Sequence, residues 1–261
     1  MILEEFDYDK EAILNPFHFM DAQIKEKGLK GKMPKVAVSC FEGKTFNRLI
    51  QLLDAKEIAV TENANTEFPV YVAKYKNKEV ALFLMDMRAA GAAGQLEEFY
   101  ALGIEKVIVF GSCGVLDRSI EDCAIIIPNA AVRDEGLSYH YVPASDEMPV
   151  NLKYIPEFTA ILDEVNLGYR IGKTWTTDAI YRETKAKMER RKEMGCICVE
   201  MECSAMAAVA QFREKELFQF LYAADNLDSV KWERRSLNHE VKFEEKDLFA
   251  QLAMELAVRI S

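Results

Sequence analysis

The chain of 261 residues carries 33 basic and 43 acidic side chains, a net charge of −10 at pH 7. Such an excess of acid argues against a nucleic-acid groove or an anionic membrane surface as the main partner. The length suits a single α/β domain, residues 1–261, because no Pro/Gly/Ser-rich linker interrupts it.

No run approaches the roughly 18 apolar residues of a membrane span, and the acidic start, 1–10, lacks the apolar core of a secretory signal. Cys40, Cys113, Cys123, Cys196, Cys198 and Cys203 sit mostly in apolar, strand-like runs, the habit of buried free thiols in a reducing cytoplasm. Cys196 and Cys198 share one strand face, but no second Cys/His pair has zinc-site spacing, so no metal is expected.

Residues 1–34 read as an N-terminal arm, with Asn15-Pro16-Phe17-His18-Phe19 followed by a Lys-rich helical stretch ending near Gly28 and Gly31. A lone histidine among aromatics reads first as a packing residue. Lys35 to Cys40 reads as a buried strand and Phe46 to Leu53 as the opening of an amphipathic helix. The turn between them, with Glu42, Gly43, Lys44 and nearby Arg48, has the makings of an anion site without matching a Walker loop or dinucleotide fingerprint.

Strands are predicted at Glu57–Ala59, Val70–Tyr75 and Glu79–Met85. A stretch rich in small residues, Asp86 to Gly94 with Arg88 inside it, then leads into a helix through Leu102. Lys106 to Phe110 is an uninterrupted apolar strand ending in a predicted turn, Gly111-Ser112-Cys113-Gly114, able to present N–H groups and a hydroxyl to an anion. Further strands are expected at Cys123–Ile127, Ala130–Val132 and Tyr169–Trp175, with a helix at Phe158–Glu164 before the last of these.

A charged helix through Arg191 reads as a solvated face. Cys196–Val199 then reads as a strand and Ser204–Phe212 as a buried helix, which places Glu200, Met201 and Glu202 near a strand-to-helix junction. Those residues fit either a helix cap with a solvated partner or a sugar site, in which a carboxylate accepts from a ribose diol and the thioether packs on the furanose. Leu217–Ala223 is a last buried strand ending at Asp225, and Leu248–Ile260 an amphipathic closing helix. The alternation implies a central, mostly parallel (mixed) twisted sheet flanked by helices, with ligands at the carboxyl ends of its strands.

Four blocks in fixed order, F-G-S-C-G at 110–114, R-D-E-G-L-S-Y-H-Y at 133–141, W-T-T-D-A-I-Y-R-E-T at 175–184 and V-E-M-E at 199–202, resemble the nucleoside phosphorylase family that includes purine nucleoside phosphorylase and uridine phosphorylase. The resemblance implies that family's fold and cleavage of a nucleoside's N-glycosidic bond by phosphate, giving free base and ribose 1-phosphate. It assigns the ribose to Glu200, Met201, Glu202 and a neighbouring subunit's His18, and hence implies a homo-oligomer, a dimer or trimer of dimers. It assigns the base to Thr176, Thr177 and Tyr181. Phosphate, as co-substrate with no other cofactor, falls to Gly111, Ser112, Arg48, Arg88 and Lys44.

Asp225 stands where purine-cleaving members carry the acid that protonates the departing base, with Arg234 or Arg235 as its partner. Uridine-cleaving members use a glutamine and an arginine after the position of Tyr181. Thr184 and Ala186 stand there in this chain, so a purine is implied over uridine. Val109 replaces an arginine usual two residues before the glycine of G-S-C-G, which opens the alternative of a phosphate-independent nucleosidase with Glu42 activating water. A non-catalytic nucleoside-binding protein accommodates Val109 as well, but leaves Glu202 together with Asp225 unexplained.

Overall fold

The structure is a computed structural model. It describes the chain apart from Glu5, Tyr8, Lys10, Lys30 and residues 238–240, and apart from the side chains of residues 23 and 25–27. In chain order the elements are α1 (Pro16–Lys27), β1 (Val36–Cys40), α2 (Gly43–Leu52), β2 (Lys56–Glu62), β3 (Glu67–Tyr75), β4 (Lys78–Leu84), α3 (Arg88–Ala101), β5 (Lys106–Val115), β6 (Ile125–Asp134) and β7 (Glu147–Pro149). They continue with α4 (Ile155–Glu164), β8 (Tyr169–Thr177), α5 (Lys185–Glu193), β9 (Cys196–Glu200), α6 (Cys203–Phe212), β10 (Glu216–Asn226) and α7 (Phe243–Arg259).

Local chemistry sets several of these boundaries. Asn15 accepts the Phe17 N–H and Pro16 starts α1, while Gly28, at φ 79°, ends it. In α3 the residues Ala89, Ala92, Ala93, Leu96, Phe99 and Tyr100 recur at helical spacing and are all buried. That face and α6 cover one side of the sheet, and α2, α4 and α7 cover the other. Burial of both faces explains the continuous apolar runs of β1 and β5.

Ten strands form one mixed sheet, parallel at its centre (β4-β1-β5-β10) and antiparallel along the β2-β3-β4 edge. The sheet also closes on itself. β10 pairs with β5 on one side and β6 on the other, and β6, β8 and β9 complete the ring back to β5. Cys113, Val115, Ile126, Cys198, Leu221 and Ala223, from four of the five ring strands, form one buried cluster. All six cysteines are free thiols, with Cys123 half-buried and the others buried.

Residues 111–114 are strand rather than the predicted turn, because β10 pairs with β5 through Val115. On its other edge β5 pairs with β1 only as far as Phe110, and with β9 only from Gly114. Between those registers residues 111–113 have no strand neighbour on that side, and a cleft opens there. The glycines serve side-chain packing: a Cβ at Gly111 would lie 2.7 Å from the Phe41 ring, and one at Gly114 would lie 2.5 Å from Leu227. Gly91 likewise makes room for the Asp86 carboxyl, which a Cβ would approach to 2.9 Å, and not for a ligand.

Candidate active site

The cleft has a volume of about 1010 Å³ and is reached by residues from the ends of β1, β5, β9 and β10. Gly114 pairs with Val199 on one side and, across a register shift after Ala223, with Asp225 on the other. The irregularity in β10 turns Asp225 toward the cleft, as bulges near active sites commonly do. Two strand spacings, about 10 Å in total, therefore separate the Glu200–Glu202 wall from the Asp225 wall.

Glu200 is consumed by structure. Its carboxylate accepts from Thr174 Oγ1 at 3.2 Å, Thr176 Oγ1 at 2.6 Å, and the N–H groups of Glu202 at 2.7 Å and Cys203 at 2.6 Å. Burial raises its pKa against the pull of those bonds. This carboxylate anchors the entry to α6. Glu202 accepts from the Arg88 N–H at 2.6 Å and the Met201 N–H at 3.3 Å, and burial together with the charge of Glu200 pushes its pKa up to about 8.

Asp225, 8% exposed, accepts from the Trp232 indole N–H at 2.7 Å. Burial raises its pKa, opposed by that hydrogen bond and by the charge of Arg235. Arg234 is exposed and donates to the Leu237 carbonyl, while Arg235 is half-buried and donates to the Ile120 carbonyl at 2.8 Å.

The other predicted residues divide clearly. Met201, Gly111, Ser112 and Tyr181 line the cleft, Tyr181 at its mouth with 95% exposure. Thr176 and Thr177 are buried in β8 away from the cleft lining, Thr176 holding Glu200 and Thr177 accepting the Ala179 N–H. The three predicted phosphate cations also stand apart from the lining. Arg48 donates to Asp247 at 2.7 Å and lies over the Phe243 ring, Lys44 is exposed on α2, and the Arg88 side chain is exposed while its N–H serves Glu202. The backbone of Arg88 has φ 69°, a left-handed strain that sets this N–H on the carboxylate. His18 is exposed on α1, which packs on α3 and β2 of its own chain.

Three further lining residues, Lys246, Glu183 and Trp232, stand out by their partners or their burial. Lys246, only 2% exposed, donates to Glu42 Oε1 at 2.9 Å, and Thr45 donates to Glu42 Oε2 at 2.5 Å. Its position on the apolar stripe of α7, with 249, 250, 253 and 257, was the available signal. Glu183, inside the quoted 175–184 block, has its pKa pushed up to about 7 by burial and by the charge of Asp225. Trp232 has no signal beyond being one of two tryptophans.

Among described lining residues the acids Glu42, Glu183, Glu189, Glu200, Glu202, Asp225 and Asp228 outnumber the cations Arg118, Lys185 and Lys246. Arg118 is paired with Asp228 and Lys246 with Glu42.

The family model described as Phosphorylase superfamily matches residues 35–261. A guanosine phosphorylase of Halorubrum lacusprofundi is 22% identical over 188 residues, 70% of this chain and 74% of that protein. A uridine phosphorylase of Thermococcus kodakarensis is 32% identical over 132 residues, 49% of this chain and 45% of that protein. The crystal structure of an AMP nucleosidase from Bacteroides thetaiotaomicron superposes with a TM-score of 0.74 at 16% identity, covering 95% of this chain and 98% of that one, a likeness of fold.

Proposed function

The chain belongs to the phosphorylase superfamily, and from that premise we propose that it cleaves the ribosyl C–N bond of a purine nucleoside with water as the acceptor. The observation carrying this reading is one cleft lined by Glu202, Asp225 and Glu42 together. Glu202 and Met201 hold the ribose. Asp225 gives a proton to the base as the C1′–N9 electron pair departs with it, and water attacks C1′ while Glu42 takes its proton. The products are free base and ribose. Lys246 and Thr45 fix the orientation of the Glu42 carboxylate.

The charge balance is what favours water. An anion as charged as phosphate needs cationic partners as well as N–H donors, and two of the three described lining cations are already paired, Arg118 with Asp228 and Lys246 with Glu42. Water brings no charge. Phosphorolysis is the second reading, supported by the names of the guanosine and uridine phosphorylase relatives and by the unpaired edge of β5 at residues 111–113.

The deciding assay incubates the protein with inosine, adenosine and uridine, with and without phosphate, and follows free base, ribose and ribose 1-phosphate. The expected result is ribose at equal rates in both buffers, with the purines preferred. Phosphate-dependent ribose 1-phosphate would establish phosphorolysis instead, and no turnover on a broad nucleoside panel would favour a binding protein.

We also propose a homo-oligomer built through the N-terminal arm. Ile13, Leu14, Phe17 and Phe19 are exposed around His18, an apolar cluster of the kind subunit contacts cover. Sedimentation equilibrium is expected to give a dimer or a multiple of it; a single-chain mass at micromolar concentration would sink this proposal.

A further inference from the structure

Beyond β10 the chain folds back on itself. Asn226 and Glu233 exchange backbone hydrogen bonds at 2.9 and 3.2 Å, and Leu237 donates to the Ala224 carbonyl at 2.9 Å. This return brings Trp232 over the end of β10, where its indole N–H donates to Asp225 Oδ2. The ring lines the cleft and is 58% exposed, so it is not held there by burial in a core. The other carboxyl oxygen, Oδ1, faces the bare Cα of Gly114, where a built Cβ would come within 3.1 Å of it.

An indole N–H can donate and cannot accept. A carboxyl oxygen already receiving it is the poorer place for a proton, so protonation of Asp225 falls on Oδ1. We propose that Trp232 is the positioning residue of the general acid, holding the Asp225 carboxyl by Oδ2 so that its transferable proton stands on Oδ1, on the Gly114 side of the cleft. This deepens the proposed function and rests on Asp225 being the acid that protonates the base. The groups facing Asp225 are Trp232 and Arg235 from the returning segment, Glu183 from the β8–α5 connection and Cys113 from β5. Of these, Trp232 and Arg235 favour the carboxylate, against the burial that favours the neutral form.

Trp232→Phe tests the proposal, since it keeps an apolar ring and removes the N–H. Loss of a hydrogen bond to the carboxylate favours the acid form, so the fall in kcat/KM at rising pH that belongs to Asp225 is expected to move up by about one pH unit. With the proton no longer directed to one oxygen, kcat is expected to drop about tenfold while KM stays within about twofold. Fluorescence supplies a readout free of substrate. The only other tryptophan, Trp175, is fully buried and donates to Asp134, so emission that titrates with the midpoint of the kinetic limb, and is lost both in Trp232→Phe and in Asp225→Asn, reports the pair.

A wild-type pH profile and kcat in Trp232→Phe would overturn the proposal, as would a titration unchanged by Asp225→Asn. The two readings fail separately. Absence of turnover on any nucleoside with the Asp225-dependent titration intact overturns the general-acid reading and with it the catalytic role given to Trp232. Turnover without that titration overturns the Trp232 proposal alone.

Discussion

Replacing Asp225 with asparagine is expected to lower kcat for purine nucleosides by about 100- to 10,000-fold, the usual worth of a general acid, with KM changed only a few-fold. Asparagine occupies nearly the same volume and still accepts from the Trp232 indole, so the pocket keeps its shape and only the transferable proton is lost. The native environment suits that proton: burial raises the pKa of Asp225 against the opposing Trp232 hydrogen bond and the charge of Arg235. Activity should therefore persist toward neutral pH and fall as pH rises through the pKa of Asp225. Steady-state kinetics of the variant on inosine and adenosine measure this, and an unchanged kcat removes Asp225 from the mechanism.

Glu202→Gln is expected to slow turnover of every nucleoside alike, roughly ten- to a hundredfold, because the contacts proposed for it are to the sugar common to all of them. In the native chain both carboxylate oxygens already accept backbone N–H groups, from Arg88 and Met201. Their remaining lone pairs are available to a ribose diol. Glutamine offers one acceptor oxygen and turns an amide on the other donor, so it loses one backbone contact as well as one to the sugar. A loss confined to a single base would show that Glu202 is misplaced.

The same residue predicts a pH effect on stability. The folded pKa of Glu202 is about 8 against an ordinary value of 4.5, so between those values the folded state binds more protons than the unfolded one. Stability contributed by the neutral acid is thus present at low pH and lost as pH rises through about 8. Urea melts at pH 5.5 and 8.5 should show a smaller difference in Glu202→Gln than in the native chain, and an equal difference would contradict the assignment.

Much of the chain was legible from short-range rules. The buried strands at 36–40 and 106–110, the alanine-rich helix after Arg88 and the capped helix at 16–27 follow from runs, spacing and caps that act over a few residues. The junction carrying Glu200–Glu202 was equally visible, and so was Asp225 at a strand end. The division of labour between Glu200 and Glu202 was not, since it depends on Thr174 and Thr176, more than twenty residues away on β8. The partner of the basic helix opening was hidden for a related reason. Arg48 and Lys44 lie in a helix opening that reads as an anion site, but Arg48 is paired with Asp247, about two hundred residues on.

Sequence by itself determined most of the elements, the apolar faces, the family and the acids at the ends of β9 and β10, because propensity, period and motif are properties of neighbouring residues. Only tertiary structure decided that β10 closes the sheet against both β5 and β6, that Gly114 lies between Val199 and Asp225, and that Lys246 and Trp232 reach Glu42 and Asp225. Strand pairing and the partnering of buried charges join residues far apart in the chain. Their energies depend on distance in space and on exclusion of water, and neither is written in the order of the amino acids.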